Sequence, residues 1–227
     1  MMLHPESEIH RSNYVSALHE ATVMAWRDAY ARGYNEGMGD HRNYYYSAAL
    51  QEAGTYELLA SARHIVEYGP GRGDFMRPLL TACPGKSFHF VEIAEANAQM
   101  LRRRFDGMPN LTVHLAANAP AGLVNVDFAF SFLLSQCMPA TLWREHLAEV
   151  RQALHAGGTY VFQFGYRPSG EANDSPAVAV AGSQMYSPER MTALVKSAEF
   201  ENVRIVGPIG LGPFHTDIVW YICRAQK

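Results

Sequence analysis

Cysteine is scarce in this chain: Cys83, Cys137 and Cys223 are the only three, far apart and without a C-x-x-C pair. An odd, scattered set supports neither a disulfide framework nor a thiolate zinc site, so the three read as buried thiols in a reducing compartment, with no metal expected. Excess positive charge is missing too, since 19 Lys and Arg stand against 22 Asp and Glu for a formal net charge of -3. The one basic run, Arg102 to Arg104, falls in a helical pattern that puts it on a surface. Nothing resembles a footprint for a phosphate backbone. No stretch reaches the roughly 20 apolar residues of a membrane span, and the opening MMLHPESEIHR has no apolar core of signal-peptide length. These absences predict a soluble, cytoplasmic protein with neither a nucleic-acid nor a membrane partner. There is no internal repeat and no heptad run, and 227 residues suit one well-buried α/β domain with an extension.

What is present centres on residues 64 to 75, HIVEYGPGRGDF. Ile65, Val66 and Tyr68 suit a buried strand, and Gly69, Gly71 and Gly73 let the chain turn sharply and approach a ligand closely. Glu67 puts an acidic side chain just before the turn. A dinucleotide site wants G-x-G-x-x-G, and the last position of that pattern is Asp74 here, where a carboxylate would face the phosphates. That argues against a nicotinamide cofactor. The pattern present is acidic-x-G-x-G-x-G, with Glu92 at the end of the following strand.

On these residues the chain resembles the class I S-adenosylmethionine-dependent methyltransferases of small-molecule type, over about residues 62 to 225. The resemblance implies an α/β fold: a Rossmann-like, mostly parallel seven-stranded sheet flanked by helices, its last two strands an antiparallel hairpin. Residues 1–61 would form an N-terminal helical lid and 62–227 the cofactor-binding domain. S-adenosyl-L-methionine is the implied cofactor. Its implied contacts are Glu67, Tyr68, Gly69, Gly71, Gly73, Glu92, Ile93, Ala117, Asn118, Ser131 and Phe132. Relatives bind the two ribose hydroxyls with an acidic residue at the Glu92 position, and a carboxylate can accept from both. They often place another acid after strand three for the adenine amino group, where this chain has Ala117 and Asn118. Adenine recognition is therefore left to backbone groups or to the Asn118 amide.

Taken in order, residues 14 to 32 have helical spacing and end at the glycine-rich GYNEGMGD, before short helices through TYELLASA. FMRPLLTAC reads as a helix that tolerates Pro78 only in or near its first turn. KSFHFVE, LTVHLAA and the near-continuous apolar VDFAFSFLL read as strands two to four, the last as a central parallel strand. EANAQMLRRRF is a helix with Ala98, Leu101 and Phe105 inward. TLWREHLAEVRQALHAGG is a helix with Thr141 as N-cap and Gly157 as its stop, followed by TYVFQF as strand five. RPSGEANDSPAVAVAGSQ is a long loop, Ser187-Pro188 opens a helix, and NVRIVG and TDIVWYICR close the sheet.

Strand four lacks the Asn/Asp/Ser-Pro-Pro-Tyr/Phe signature of methyltransferases acting on base amines or glutamine side chains. With the acidic net charge this points to a small-molecule acceptor, planar or apolar. Phe132, Gln136, Phe164 and Tyr166 are placed either to line its pocket or simply to cap the core at the strand ends; Trp26, Tyr45 and Tyr46 either pack the N-terminal helices onto the sheet or form a lid over the site, since a sulfonium is attracted to aromatic faces. His215, in the loop before the last strand, is the first candidate base because imidazole titrates near neutrality; His41 and Tyr45 are weaker candidates. The alternative reading is a cofactor-binding fold that catalyses a non-methylating step such as a cyclisation. Oligomeric state is left open, with a homodimer as one option.

Overall fold

The computed structural model describes residues 54–116, 123–138, 140–168, 184–209 and 218–227. Within them a seven-stranded sheet is ordered β3-β2-β1-β4-β5-β7-β6. Its strands are β1 (His64–Tyr68), β2 (Ser87–Glu92), β3 (Leu111–Leu115), β4 (Val126–Ser131), β5 (Leu154–Tyr166), β6 (Glu201–Ile209) and β7 (Val219–Gln226). All pairings from β3 to β5 are parallel, and β7 lies antiparallel to both β5 and β6. Only β7 therefore runs against the rest. The helices are α1 (Tyr56–Ser61), α2 (Arg77–Ala82), α3 (Glu95–Arg104), α4 (Ala140–Ala153) and α5 (Pro188–Ser197).

Strands buried on both faces need apolar residues at successive positions, and β1 and β4 supply them. Ile65, Phe128 and Phe130 pack with Leu59 of α1, Leu80 of α2 and Leu101 of α3 on one face. Val66, Ala129, Tyr160 and Phe162 pack with Trp143 and Leu147 of α4 and Met191 and Val195 of α5 on the other. Each large apolar side chain so enclosed is worth about 1.5–3 kcal/mol. Lys86 ties α1 down by donating from Nζ to the carbonyl oxygens of Leu59, Ala60 and Ala62. The helix that the sequence assigns to the extension thus packs directly on the sheet. Among the described residues no helix is long and apolar enough to cross a membrane.

Two boundaries differ from the sequence reading. Thr141 lies inside α4, which begins at Ala140, so it is not the N-cap. Gly157, at φ +86°, belongs to the irregular entry of β5 and not to the end of α4, which stops at Ala153. Tertiary pairing decides this: Leu154 is already in register with Val126, and the Gly157 N–H donates to the Lys227 carbonyl oxygen at 2.7 Å. The Ser187-Pro188 start holds, with Ser187 Oγ accepting from the Arg190 N–H at 3.2 Å as the N-cap of α5.

Candidate active site

From β1 the chain moves through β2 to β3 on one side of the sheet and through β4 to β5 on the other. The switch falls between β1 and β4, and open α/β sheets take their ligands outside the carboxyl ends of the strands there. Register aligns Glu67 with Phe90 of β2 and Phe130 of β4, which places the glycine turn and the ends of β2 and β4 side by side.

The turn is held from both ends. The Gly69 N–H donates to the Val91 carbonyl oxygen at 3.0 Å and the Gly73 N–H to that of Pro70 at 2.8 Å. Gly69, Gly71 and Gly73 have φ of +65°, +57° and +71°, which side chains other than glycine rarely adopt. The reason for having no side chain is not the same along the turn. A Cβ at Gly73 would lie 2.7 Å from a ring carbon of Phe105 and 2.9 Å from one of Phe90, and a Cβ at Gly69 would lie 3.0 Å from Leu134 Cδ1. At Gly73 it is the protein's own core, and at Gly69 the partly buried Leu134 side chain, that needs the space.

Asp74 also differs from the sequence argument. Its carboxylate is bound by the Arg104 guanidinium and lies 3.8 Å from Arg72 Nε, while Arg104 Nη1 donates to the Arg72 carbonyl oxygen at 2.8 Å. Arg104, which the sequence places with its neighbours on a surface, is half-buried and clamps the glycine turn from α3. A signal was available, since Arg104 stands three residues after the buried Leu101 on the same helix.

Glu67 is buried, and its Oε2 finds no hydrogen-bond partner among the described residues. Burial, with the Asp74 carboxylate adding to it, holds its carboxyl well above the usual carboxylate range. Glu92 ends β2 and folds back, so that Oε1 accepts the N–H groups of Ile93 at 2.8 Å and Ala94 at 3.0 Å. Burial pushes its carboxyl up to about 7, against those two amides and the Asn97 side chain. The two acids stand on adjacent strands at the same end of the sheet, one with an unused oxygen and one with a fixed orientation.

Of the remaining candidates, Phe132 is buried beyond the end of β4 and edge-packed against Phe75 at 5.3 Å between centroids. Gln136 lies in the short 3-10 turn Ser135–Cys137, where its carbonyl oxygen accepts the Gln184 N–H at 3.0 Å. Tyr68, Ser131 and Phe164 point to the face opposite Glu67, which α4 and α5 cover. Tyr68 packs edge-on against His146 at 5.0 Å, Phe164 stacks on Tyr221 at 5.4 Å, and Ser131 Oγ lies 2.7 Å from the Tyr160 hydroxyl. Tyr166, half-buried at the end of β5, follows the same alternation as Phe164. The structure thus does not bring Phe164 and Glu67 to one face. Trp26, His41, Tyr45, Tyr46, Ala117, Asn118 and His215 lie outside the described residues.

The Tyr160 hydroxyl also lies 2.9 Å from His146 Nε2, completing a buried Ser131–Tyr160–His146 chain that sequence reasoning did not foresee. Burial lowers the His146 imidazole to about 3, so it is neutral at physiological pH and serves the Tyr160 hydroxyl as a hydrogen-bond partner.

No family model matches the sequence, and no curated protein is similar to it. Solved structures do match. A PigF structure with SAH superposes at a TM-score of 0.61 and 17% identity, covering 79% of this chain and 55% of that one. Human N-acetylserotonin methyltransferase in complex with SAM gives 0.58 and 12%, covering 84% and 52%. A protein from Thermotoga maritima, described as a possible histamine N-methyltransferase, gives 0.60 and 20%, covering 89% and 98%. The chain spans about half the length of the first two and nearly all of the third. Sheet order, the lone antiparallel β7 and these superpositions agree: the chain has the Rossmann-like fold of the class I S-adenosylmethionine-dependent methyltransferases.

Proposed function

We propose that this protein is an S-adenosylmethionine-dependent methyltransferase acting on a small molecule. The observation that carries the reading is the buried Oε2 of Glu67 beside the glycine turn, which has no partner among the described residues. A buried acid with an idle oxygen is costly unless a ligand supplies a donor, and the amino group of an amino-acid-bearing nucleoside is such a donor. Glu92 would hold the sugar. A carboxylate offers about four acceptor directions; the amides of Ile93 and Ala94 take two and Asn97 a third. One hydroxyl can therefore be accepted as the site stands, and a second once Asn97 yields.

When bound, S-adenosylmethionine supplies a methyl group already activated by its sulfonium. The protein's share is then to orient and to exclude water, and positioning alone can contribute roughly 7–11 kcal/mol to such a displacement. The apolar rings of Phe75, Phe130 and Phe132 pack together at 5.2–5.8 Å beside Glu67 and would help keep that end of the sheet dry. In this reading the part of the extension ahead of α1 closes over the crevice with Trp26, Tyr45 and Tyr46, while α1 itself stays packed on the sheet; Asn118 serves adenine, and His215 takes the acceptor's proton. A His215→Ala variant with full turnover would remove that last role.

The test is isothermal titration of the full-length protein with S-adenosylhomocysteine. Binding tighter than about 1 mM, roughly 4 kcal/mol, is expected. Weaker binding, or a nicotinamide dinucleotide binding in its place, would reject the reading.

A further inference from the structure

One polar residue of β5 is used by nothing described so far. Gln163 is 1% exposed, and neither its Oε1 nor its Nε2 finds a hydrogen-bond partner among the described residues. Its position is set by register. Glu67 pairs with Phe130, and Phe130 with Val161, so these three point to the same face of the sheet. Gln163 is two residues further toward the carboxyl end of β5 and shares that face by alternation. With strands about 4.8 Å apart and a two-residue step of about 6.7 Å, Glu67 and Gln163 stand roughly 12 Å apart across the sheet. That is just beyond the end of β4, level with Phe132, at the carboxyl edge of the sheet where open α/β sheets take their ligands.

Among the described residues the surroundings offer the amide no partner. Its cross-strand neighbour is Ile222, and Val161 and Trp220 lie on the same face. Its backbone is held independently, the carbonyl oxygen accepting from Ser135 Oγ at 3.0 Å, so the side chain is not needed to fix the strand. A primary amide with its donor and its acceptor both idle in an apolar setting costs folding free energy, and methionine would fill the same volume without that cost. The counterpart of such a group is a planar edge that carries an N–H and a C=O side by side.

We infer that Gln163 is the specificity residue of the acceptor site, and that the acceptor is a planar ring compound with a lactam-type edge bound by two hydrogen bonds to the Gln163 amide. The inference rests on the methyltransferase reading of the crevice and deepens it. A site built around a buried hydrogen-bonding pair discriminates sharply, because an analogue that cannot pair leaves both groups idle.

The full-length protein saturated with S-adenosylhomocysteine is titrated by ligand-observed NMR with 2-quinolone and with 1-methyl-2-quinolone, which differ in one N–H. The wild type should bind 2-quinolone at least tenfold more tightly. Gln163→Met should abolish that preference, keep the S-adenosylhomocysteine affinity, and melt no lower than the wild type. Equal binding of the two probes, no binding of 2-quinolone, or a preference retained in the methionine variant would each overturn the inference. The wild-type comparison stands whether or not the variant folds. Failure of S-adenosylhomocysteine to bind is seen before either probe is added, and it removes the methyltransferase reading itself.

Discussion

Glutamine in place of Glu92 should make the protein more stable and a poorer binder at once. Glu92 is 4% exposed, and its carboxyl is raised from an ordinary 4.5 to about 7, by burial first, with the Ala94, Ile93 and Asn97 hydrogen bonds only partly offsetting it. Because the folded pKa is the higher one, the folded state keeps a proton that the unfolded chain releases between pH 4.5 and 7. The stability this group contributes is therefore full below pH 4.5 and lost as pH rises through 7. At about 1.4 kcal/mol per pH unit the window amounts to roughly 3 kcal/mol. Glutamine retains an oxygen for the Ile93 and Ala94 amides but cannot ionise. Glu92→Gln should accordingly match the wild type in urea unfolding near pH 4.5 and exceed it by about 1–3 kcal/mol at pH 8. S-adenosylhomocysteine, titrated at pH 8, should bind about 1.5–3 kcal/mol more weakly, the worth of hydrogen bonds to a charged group. Equal urea midpoints at pH 8, or a stability difference that does not change with pH, would show that Glu92 does not carry a raised pKa in the folded state.

Gly73→Ala and Gly107→Ala place a methyl group at similar φ, +71° and +81°, but only the first meets buried rings, since nothing lies within 4 Å of a Cβ at Gly107. The backbone term alone should cost Gly107→Ala about 1–2 kcal/mol, with overpacking adding about 1–3 more at Gly73; equal losses in urea unfolding would show that the Phe90 and Phe105 contacts give way freely. Tyr160→Phe removes the hydroxyl shared by Ser131 and His146. Leaving two buried groups unpaired should lower unfolding free energy by roughly 2–4 kcal/mol with S-adenosylhomocysteine affinity unchanged, whereas a loss under about 0.5 kcal/mol would mean that Ser131 and His146 find other partners.

Local residue patterns were enough to specify the turn and the layers around it. Glycines spaced two apart after an acid and an apolar strand admit few other structures, and the apolar runs of β1 and β4 require a strand buried on both faces. Local patterns of this kind reach only as far as a turn or one face of a helix. Whatever depends on residues distant in the chain was settled by long-range packing and strand register. Phe90 and Phe105 account for the missing side chain at Gly73, and Arg104 takes up Asp74. The pairing of Leu154 with Val126 ends α4 ahead of its glycines. Face assignment at the carboxyl end of the sheet was the least legible of all. Alternation separates Gln163 from Phe164, but only the register Glu67–Phe130–Val161 says which of the two shares a side with the acid of the turn.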